Sequence, residues 1–445
     1  MANKYIHIEQ SLGMRGQASL HGAKNAALPI IASLILTDGV SHLSNVPHSH
    51  DVICMVQLLR NLGARAVFID EHTLEVDTST LDTFCIEPAI MKKMRASILA
   101  MGPLLARFGR ADIAMPGGCV IGARPINYHL ESFAKMGTEI SMHDDFLYAR
   151  AAALKPSTII MEYPSVGATE NVMMAAVRTR GVTRIVNAAL EPEVLDLIAV
   201  LRKMGANIAI HPTATIEIEG VEHLRPVEHA VMYDRLEAGS LMIAAAITGG
   251  DIYLPQAPAY VMEIFIMKLE QMGHAIEVGA NGVGARIKAT MSPQAVSFKT
   301  GQYPGFPTDL QAPMMAAQCL AQGVSTIEET VFENRMLHIY ELKKMGADIA
   351  IENNRTIIKG VDQLHGSDVV ATDIRASCAL VLAGLAATGT TRMTGIHHWM
   401  RGYDKLELSL SLLGGNVRIL DNPENEHDML LGQNNDSNLK NNLTC

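Results

Sequence analysis

Two patterns of apolar and polar positions recur six times along the chain. In the first, apolar residues spaced three and four apart end in Leu-Gly or Met-Gly and then give way to strict alternation. Spacing of that kind predicts an amphipathic helix, and alternation predicts a half-buried strand. The copies run over Leu58 to Val67, Ser132 to Ile140, Val200 to Ile210, Lys268 to Val278, Glu341 to Ile351 and Leu408 to Ile419. Their glycines, Gly63, Gly137, Gly205, Gly273, Gly346 and Gly414, lie 68 to 74 residues apart. A glycine just past a helix is the expected left-handed cap. Copies three and five also agree downstream, at Ile216-Glu217-Ile218-Glu219-Gly220-Val221 and Ile357-Ile358-Lys359-Gly360-Val361.

The second pattern is apolar nearly all round, as in Ala26 to Leu36, Leu241 to Ile247 and Ala379 to Ala386. Six such runs end at Gly39, Gly109, Gly181, Gly249, Gly323 and Gly389, spaced 66 to 74 residues apart. A helix without a polar face is buried on every side. Each unit thus supplies one buried helix, one amphipathic helix and several short strands. The expected class is α/β, with three units of about 70 residues per globule, helices inside and sheets outside. Solenoid repeats are shorter, about 20 to 50 residues, so closed pseudo-symmetric domains are favoured.

Length agrees, since 445 residues exceed one ordinary core and suggest two domains. Hydrophobic residues make up 48% and charged residues 18%, which is ample for globular cores. With only 4% aromatics, the 26 methionines read as helix-packing filler. A net charge of −10 argues against a nucleic-acid partner. The N-terminus lacks the apolar run of a signal peptide, and no stretch is long enough to insert into a membrane. Six scattered cysteines without a Cys-x-x-Cys pair suit a reducing cytoplasm, and neither a disulfide framework nor a zinc site. Residues 422–445, rich in Asn, Asp and Glu, are expected to be a disordered tail.

Polar residues interrupt the buried helices mainly at their N-terminal ends. The openings are Gly22-Ala23-Lys24-Asn25, Met94-Arg95-Ala96-Ser97, Ser165 to Glu170, Asp234-Arg235-Leu236-Glu237, Pro307-Thr308-Asp309 and Thr372-Asp373-Ile374-Arg375. Converging helix N-termini attract anions through free N–H groups and the dipole. Thr169, Thr372 and Ser377 read as ordinary caps. Lys24, Arg95 and Arg375 do not, because a cation there opposes the dipole and calls for an anion. One more segment stands out, the glycine-rich loop from Pro116 to Pro125, which sets Cys119 five residues before Arg124. Its glycines permit close approach to a ligand, and a thiol there could donate a proton or attack as thiolate. An incidental cysteine in a surface turn, and surface ion pairs for the arginines, remain open on these residues alone.

Gly22 to Pro29, the cysteine loop, Pro164 to Thr169, Phe306-Pro307-Thr308-Asp309, Phe332-Glu333-Asn334-Arg335 and Arg401-Gly402-Tyr403 occur in that order. Together they resemble the UDP-N-acetylglucosamine 1-carboxyvinyltransferases of the enolpyruvyl transferase family, from about residue 5 to residue 420. The resemblance implies two inside-out α/β barrel domains, with the chain crossing between them near Gly22 and Tyr233. That gives residues 23–232 as one domain and residues 1–22 plus 233–421 as the other. It also implies transfer of the enolpyruvyl group of phosphoenolpyruvate to the 3′-hydroxyl of UDP-N-acetylglucosamine, the first committed step of peptidoglycan synthesis. No metal or organic cofactor is implied.

By the same resemblance, Lys24, Arg124 and Arg401 would hold phosphoenolpyruvate. Asn25 and Asp309 would contact the sugar, with Asp309 as base. Arg95, the run Arg124, Pro125, Ile126, Asn127 and Tyr128, the run Tyr163, Pro164, Ser165 and Val166, and Val331 would line the uridine-diphosphate site. Cys119 would protonate the methylene carbon and be open to alkylation by an anionic epoxide such as fosfomycin. Arg335, Asp373 and Arg375 would complete the closed site. Two positions depart from the usual family pattern, Tyr163-Pro164 and Asn127-Tyr128. The sister 5-enolpyruvylshikimate-3-phosphate synthases lack the cysteine loop and carry a serine-containing motif at Lys24-Asn25. A paralogue that binds a UDP-sugar without turnover is the alternative from outside enzymology.

Overall fold

A computed structural model describes residues 4–91, 94–115 and 126–421. All six apolar runs are helices. They are α1 (Lys24–Ser33), α2 (Met101–Phe108), α3 (Val166–Ala176), α4 (Arg235–Thr248), α5 (Gln311–Gln318) and α6 (Ile374–Ala386). Every residue of α5 is buried, and all of α4 except Ile247. The six amphipathic runs are helices as well, for example Pro192–Met204, which buries Val194, Leu197, Ile198 and Leu201. All twelve glycines of the two repeat series have positive φ. Ordinary side chains resist that conformation, so glycine there ends each helix where the strand must begin.

The strands form six four-stranded sheets of one design. In one of them Thr158–Ile160 runs parallel to Val182–Val186, which pairs antiparallel with Thr215–Glu219 and through it with Asn207–His211. Ile216 and Ile218 point inward and are fully buried, while Glu217 and Glu219 between and beside them are not. Burying each such isoleucine stabilises by roughly 1.5–3 kcal/mol. The alternation therefore covers the helices with the sheet's apolar side.

Two separate hydrophobic cores result. One gathers side chains from Ala23 to Val231, the other from Ile6 to Leu20 together with Leu236 to Val417. The N-terminal strands Lys4–Glu9 and Arg15–Gln17 are built into sheets of the second core. The chain then crosses to the first core and returns. At the crossing Gly22 pairs with Tyr233, the Ala23 N–H donates to Met232 (2.7 Å) and the Asp234 N–H donates to His21 (2.9 Å). No helix among the described residues is long and apolar enough to cross a membrane.

Candidate active site between the two cores

The crossing aims the first turn of α1 at the gap between the cores. Gly22 is required there for packing, since a Cβ would overlap the Asn45 carbonyl oxygen and crowd Pro47. Lys24 follows, nearly buried, and its Nζ donates to Asp51 Oδ2 at 3.3 Å. Asp51 lies in the first turn of the helix His50–Asn61, where the dipole favours a carboxylate. Its other oxygen accepts from Nε of Arg401 at 2.9 Å, and Arg401 belongs to the helix His397–Gly402 of the second core.

Asn25 donates to Asp309 Oδ2 at 3.3 Å. Asp309 sits in the 3₁₀ turn Thr308–Leu310 that leads into α5. Arg375, in the first turn of α6, donates to the same carboxylate at 2.8 Å, and Arg335 donates to its other oxygen. Arg335 also reaches Thr308 Oγ1 at 2.9 Å. Four cationic side chains, Lys24, Arg335, Arg375 and Arg401, thus share two carboxylates. Arg335 Nε and Arg375 Nη1 are buried and have no hydrogen-bond partner among the described residues. Buried donors of this kind are costly to leave unmet, so an incoming anion gains them.

The electrostatics follow from this crowding. Burial pulls the Lys24 pKa down, and Asp51 works against that pull. Burial pushes the Asp309 carboxyl up, but Arg375 and Arg335 outweigh it and hold the group well below the ordinary carboxylate range. A carboxylate so held is a weak base until another anion competes for the arginines.

The remaining expected residues are placed as follows. Tyr163 lies within electrostatic reach of Tyr128 and Glu191 and, across the cores, of Glu329. Glu329 is buried and accepts from the hydroxyls of Thr300 (3.0 Å) and Thr308 (2.9 Å) and the N–H groups of Val331 (2.8 Å) and Phe332 (3.2 Å). It therefore fixes the Val331 loop beside Asp309. Ile126 precedes the helix Asn127–Lys135, and Asn127 donates along that helix to Glu131 at 3.4 Å. Arg95 opens the 3₁₀ turn before α2, and Pro164 leads to the start of α3 at Val166. Cys119, Arg124 and Pro125 lie outside the described residues.

The capping expectation needs correction. The side-chain caps are Ser165 on α3, Asp234 on α4 and Asp373 on α6. Thr169 accepts instead from the Ala189 N–H, Ser377 bonds back to the Ile374 carbonyl, and Thr372 donates to Asp373. Asp and Ser at the boundary reach the free N–H groups, whereas Thr169 and Ser377 already lie inside their helices. One Asp373 oxygen is taken up by the N–H groups of Arg375 and Ala376, which fixes the turn that carries Arg375.

Asp51, Glu329 and Glu193, the buried partner of Arg235 at 2.9 Å, carried no signal in the sequence. An acidic residue in a first helical turn looks like routine dipole compensation, so Asp51 carried no separate signal.

The fold recurs in known proteins. It superposes on the enolpyruvyl transferase NikO from Streptomyces tendae with a TM-score of 0.86 at 24% identity, over 95% of this chain and all of that one. On the EPSP synthase from Acinetobacter baumannii the TM-score is 0.74 at 17% identity, over 94% of this chain and 100% of that one. A sequence profile of the EPSP synthase (3-phosphoshikimate 1-carboxyvinyltransferase) family matches residues 8–410, so the class is that of the enolpyruvyl transferases. Closer relatives narrow it. The chain is 46% identical to UDP-N-acetylglucosamine 1-carboxyvinyltransferase 1 of Caldanaerobacter subterraneus subsp. tengcongensis, over 94% of its length and 99% of that protein. It is 45% identical to UDP-N-acetylglucosamine 1-carboxyvinyltransferase of Myxococcus xanthus, over 93% and 98%. The chain belongs to the UDP-N-acetylglucosamine 1-carboxyvinyltransferase family.

Proposed function

We propose that this protein transfers the enolpyruvyl group of phosphoenolpyruvate to the 3′-hydroxyl of UDP-N-acetylglucosamine and releases phosphate, in the cytoplasm, at the start of peptidoglycan synthesis. The observation that carries this reading is the cluster of four cations around Asp51 and Asp309, set between two cores. The two substrates together bring about five negative charges, which an acidic protein must meet with a local surplus of cations. The division into residues 23–232 and residues 1–22 plus 233–421 is part of the proposal, with the substrates enclosed between the two domains.

In this reading Lys24, Arg124 and Arg401 bind the phosphate and carboxylate of phosphoenolpyruvate. Arg335 and Arg375 meet the same charges with their unpartnered N–H groups. As the substrate anions draw these arginines away, Asp309 regains basicity and accepts the proton of the sugar hydroxyl, with Asn25 orienting the sugar. Cys119 gives a proton to the methylene carbon on the opposite side, and the oxygen–carbon bond forms as the carbon becomes cationic. Phosphate leaves from the resulting tetrahedral adduct, and the new methyl group gives up a proton, which restores the vinyl double bond. Asp373 contributes by fixing the turn under Arg375. Arg95, residues 124–128, residues 163–166 and Val331 border the nucleotide. Enclosure excludes water, which would otherwise hydrolyse the cationic intermediate.

The test is phosphate release from purified protein. Release is expected only with phosphoenolpyruvate and UDP-N-acetylglucosamine together. Turnover with shikimate 3-phosphate and none with the UDP-sugar would overturn the assignment, and binding of the UDP-sugar without any turnover would identify an inactive paralogue.

A further inference from the structure

Behind Lys24, on the hinge side of the gap, one histidine and one acid from the second core's segments meet a histidine of the first. His21, His72 and Asp404 each offer a ligand atom within 4.8 Å of the others. His21 is on the crossing segment, His72 on the turn between the strands Arg65–Phe68 and Leu74–Asp77, and Asp404 just after the helix His397–Gly402. The two imidazole rings lie 5.5 Å apart between centroids.

Each of the three side chains is already oriented. His21 Nδ1 bonds Glu237 Oε1 at 2.9 Å, and Glu237 is itself fixed by the His21 N–H at 2.8 Å. That carboxylate–imidazole pairing takes up Nδ1, so Nε2 of His21 is the nitrogen that can ligate once an ion displaces its proton, as in metal-bound histidine. His72 Nδ1 lies 3.2 Å from the Val46 carbonyl oxygen, and its turn is held by Asp70, which accepts from the His72 N–H at 2.9 Å. Asp404 is buried and accepts from the His48 N–H at 2.8 Å, which leaves lone pairs to spare. Lys405, next in sequence to Asp404, donates to Glu71 at 2.6 Å. A narrow cleft lined in part by His21, Glu237, Asp404 and Lys24 reaches two of the three residues.

We propose that His21, His72 and Asp404 bind one divalent transition-metal ion of the zinc class, and that the ion clamps the two cores together. Two imidazoles and a carboxylate suit Zn²⁺, Co²⁺ or Ni²⁺ and not Mg²⁺ or Ca²⁺, which prefer oxygen donors throughout. Tetrahedral bonds of about 2.0–2.1 Å bring ligand atoms to roughly 3.3 Å from one another, so the ligands must draw in by the order of 1 Å. His72 Nδ1 already lies 3.7 Å from Asp404 Oδ2, and the ring is half-buried, so closing on an ion means turning it about its contact with Val46. A fourth position is left for water. Because the ligands come from both cores, the bound ion opposes any opening that substrate exchange needs, and it inhibits turnover without touching the reacting groups.

The experiment titrates ZnCl₂ into metal-free protein against a chromophoric chelator. The wild type is expected to bind one equivalent more than His72→Asn, and one more than His21→Asn. His223→Asn, a change at an exposed histidine elsewhere, is expected to keep it. Zinc is also expected to raise the melting temperature of the wild type and not that of His72→Asn. Equal zinc stoichiometry in wild type and His72→Asn overturns the site, whatever the enzyme's activity proves to be. Phosphate release is expected to be inhibited by zinc at concentrations at least about tenfold lower in the wild type than in His72→Asn, with recovery on adding EDTA. Equal inhibition of both proteins removes the clamp while leaving the binding result to stand or fall on the titration.

Discussion

Asp51 and Arg401 belong to different hydrophobic cores and meet at 2.9 Å, with Lys24 on the other oxygen of the same carboxylate. One acidic side chain therefore sets the spacing of two cations and ties that spacing to the relation between the cores. It also opposes the fall that burial imposes on the Lys24 pKa.

Changing Asp51→Asn removes that opposition and lets the Lys24 pKa fall further. A lysine must be protonated to hold phosphate, so the alkaline limb of the pH–rate profile should move to lower pH. We expect a loss of at least about tenfold in kcat/KM for phosphoenolpyruvate at pH 9, and a smaller loss at pH 6. A profile of unchanged shape would mean that Asp51 serves packing alone.

Asp309→Asn keeps the shape of the side chain but removes the base. The expected loss in kcat is about 10²–10⁴-fold, with KM values changed much less. Arg335→Gln tests the same carboxylate from the other side. With one arginine gone the Asp309 pKa rises, so the acidic limb of the rate profile should shift to higher pH. Steady-state rates between pH 5 and 8 decide this.

Arg235 bonds Glu193 in a buried contact between the cores, next to Glu170 and Glu191. Burial first, then Glu193 and Glu191, raise the Glu170 pKa well above the usual range, and burial raises that of Glu191. These acids have folded pKa values above their unfolded ones, so their ionisation costs stability as pH rises. Arg235→Ala should cost about 3–5 kcal/mol at pH 8 and distinctly less at pH 5. Denaturant unfolding at the two pH values is the measurement, and an equal loss at both would contradict the argument.

His274 is buried, accepts from the Thr290 N–H at 3.2 Å, and has its pKa lowered to about 4 by burial. An unfolded imidazole titrates near 6.5, so the unfolded chain binds the extra proton first. The contribution is present above pH 6.5 and is lost as pH falls toward 4, by about 3 kcal/mol in all. His274→Asn should flatten that part of the stability–pH curve. An unaltered slope would show that the imidazole is not the group being titrated.

How far the sequence reached differs between scaffold and site. The twelve repeat glycines, the six buried helices and the six amphipathic ones were legible because helix period, strand alternation and left-handed caps are local properties. Lys24, Asn25, Asp309, Arg335 and Arg401 stood out as candidates through the order of their motifs, and Arg375 as a cation opening a helix; the structure gathers them around two carboxylates. The strand order within each sheet was not legible, since the pairing of Lys4–Glu9 with Thr390–Thr394 joins residues nearly the whole chain apart.

The sequence by itself determined which segments are helices, where they end, and which of their N-termini carry cations. It could state that Lys24 and Arg375 need an anion. Only the tertiary structure decided which anions serve, namely Asp51 for one and Asp309 for the other. The same holds for the meeting of His21, His72 and Asp404. A charge's local pattern reports its cost at a helix end, whereas its partner is chosen by how distant segments pack, and electrostatic energy depends on the separation and burial that packing creates.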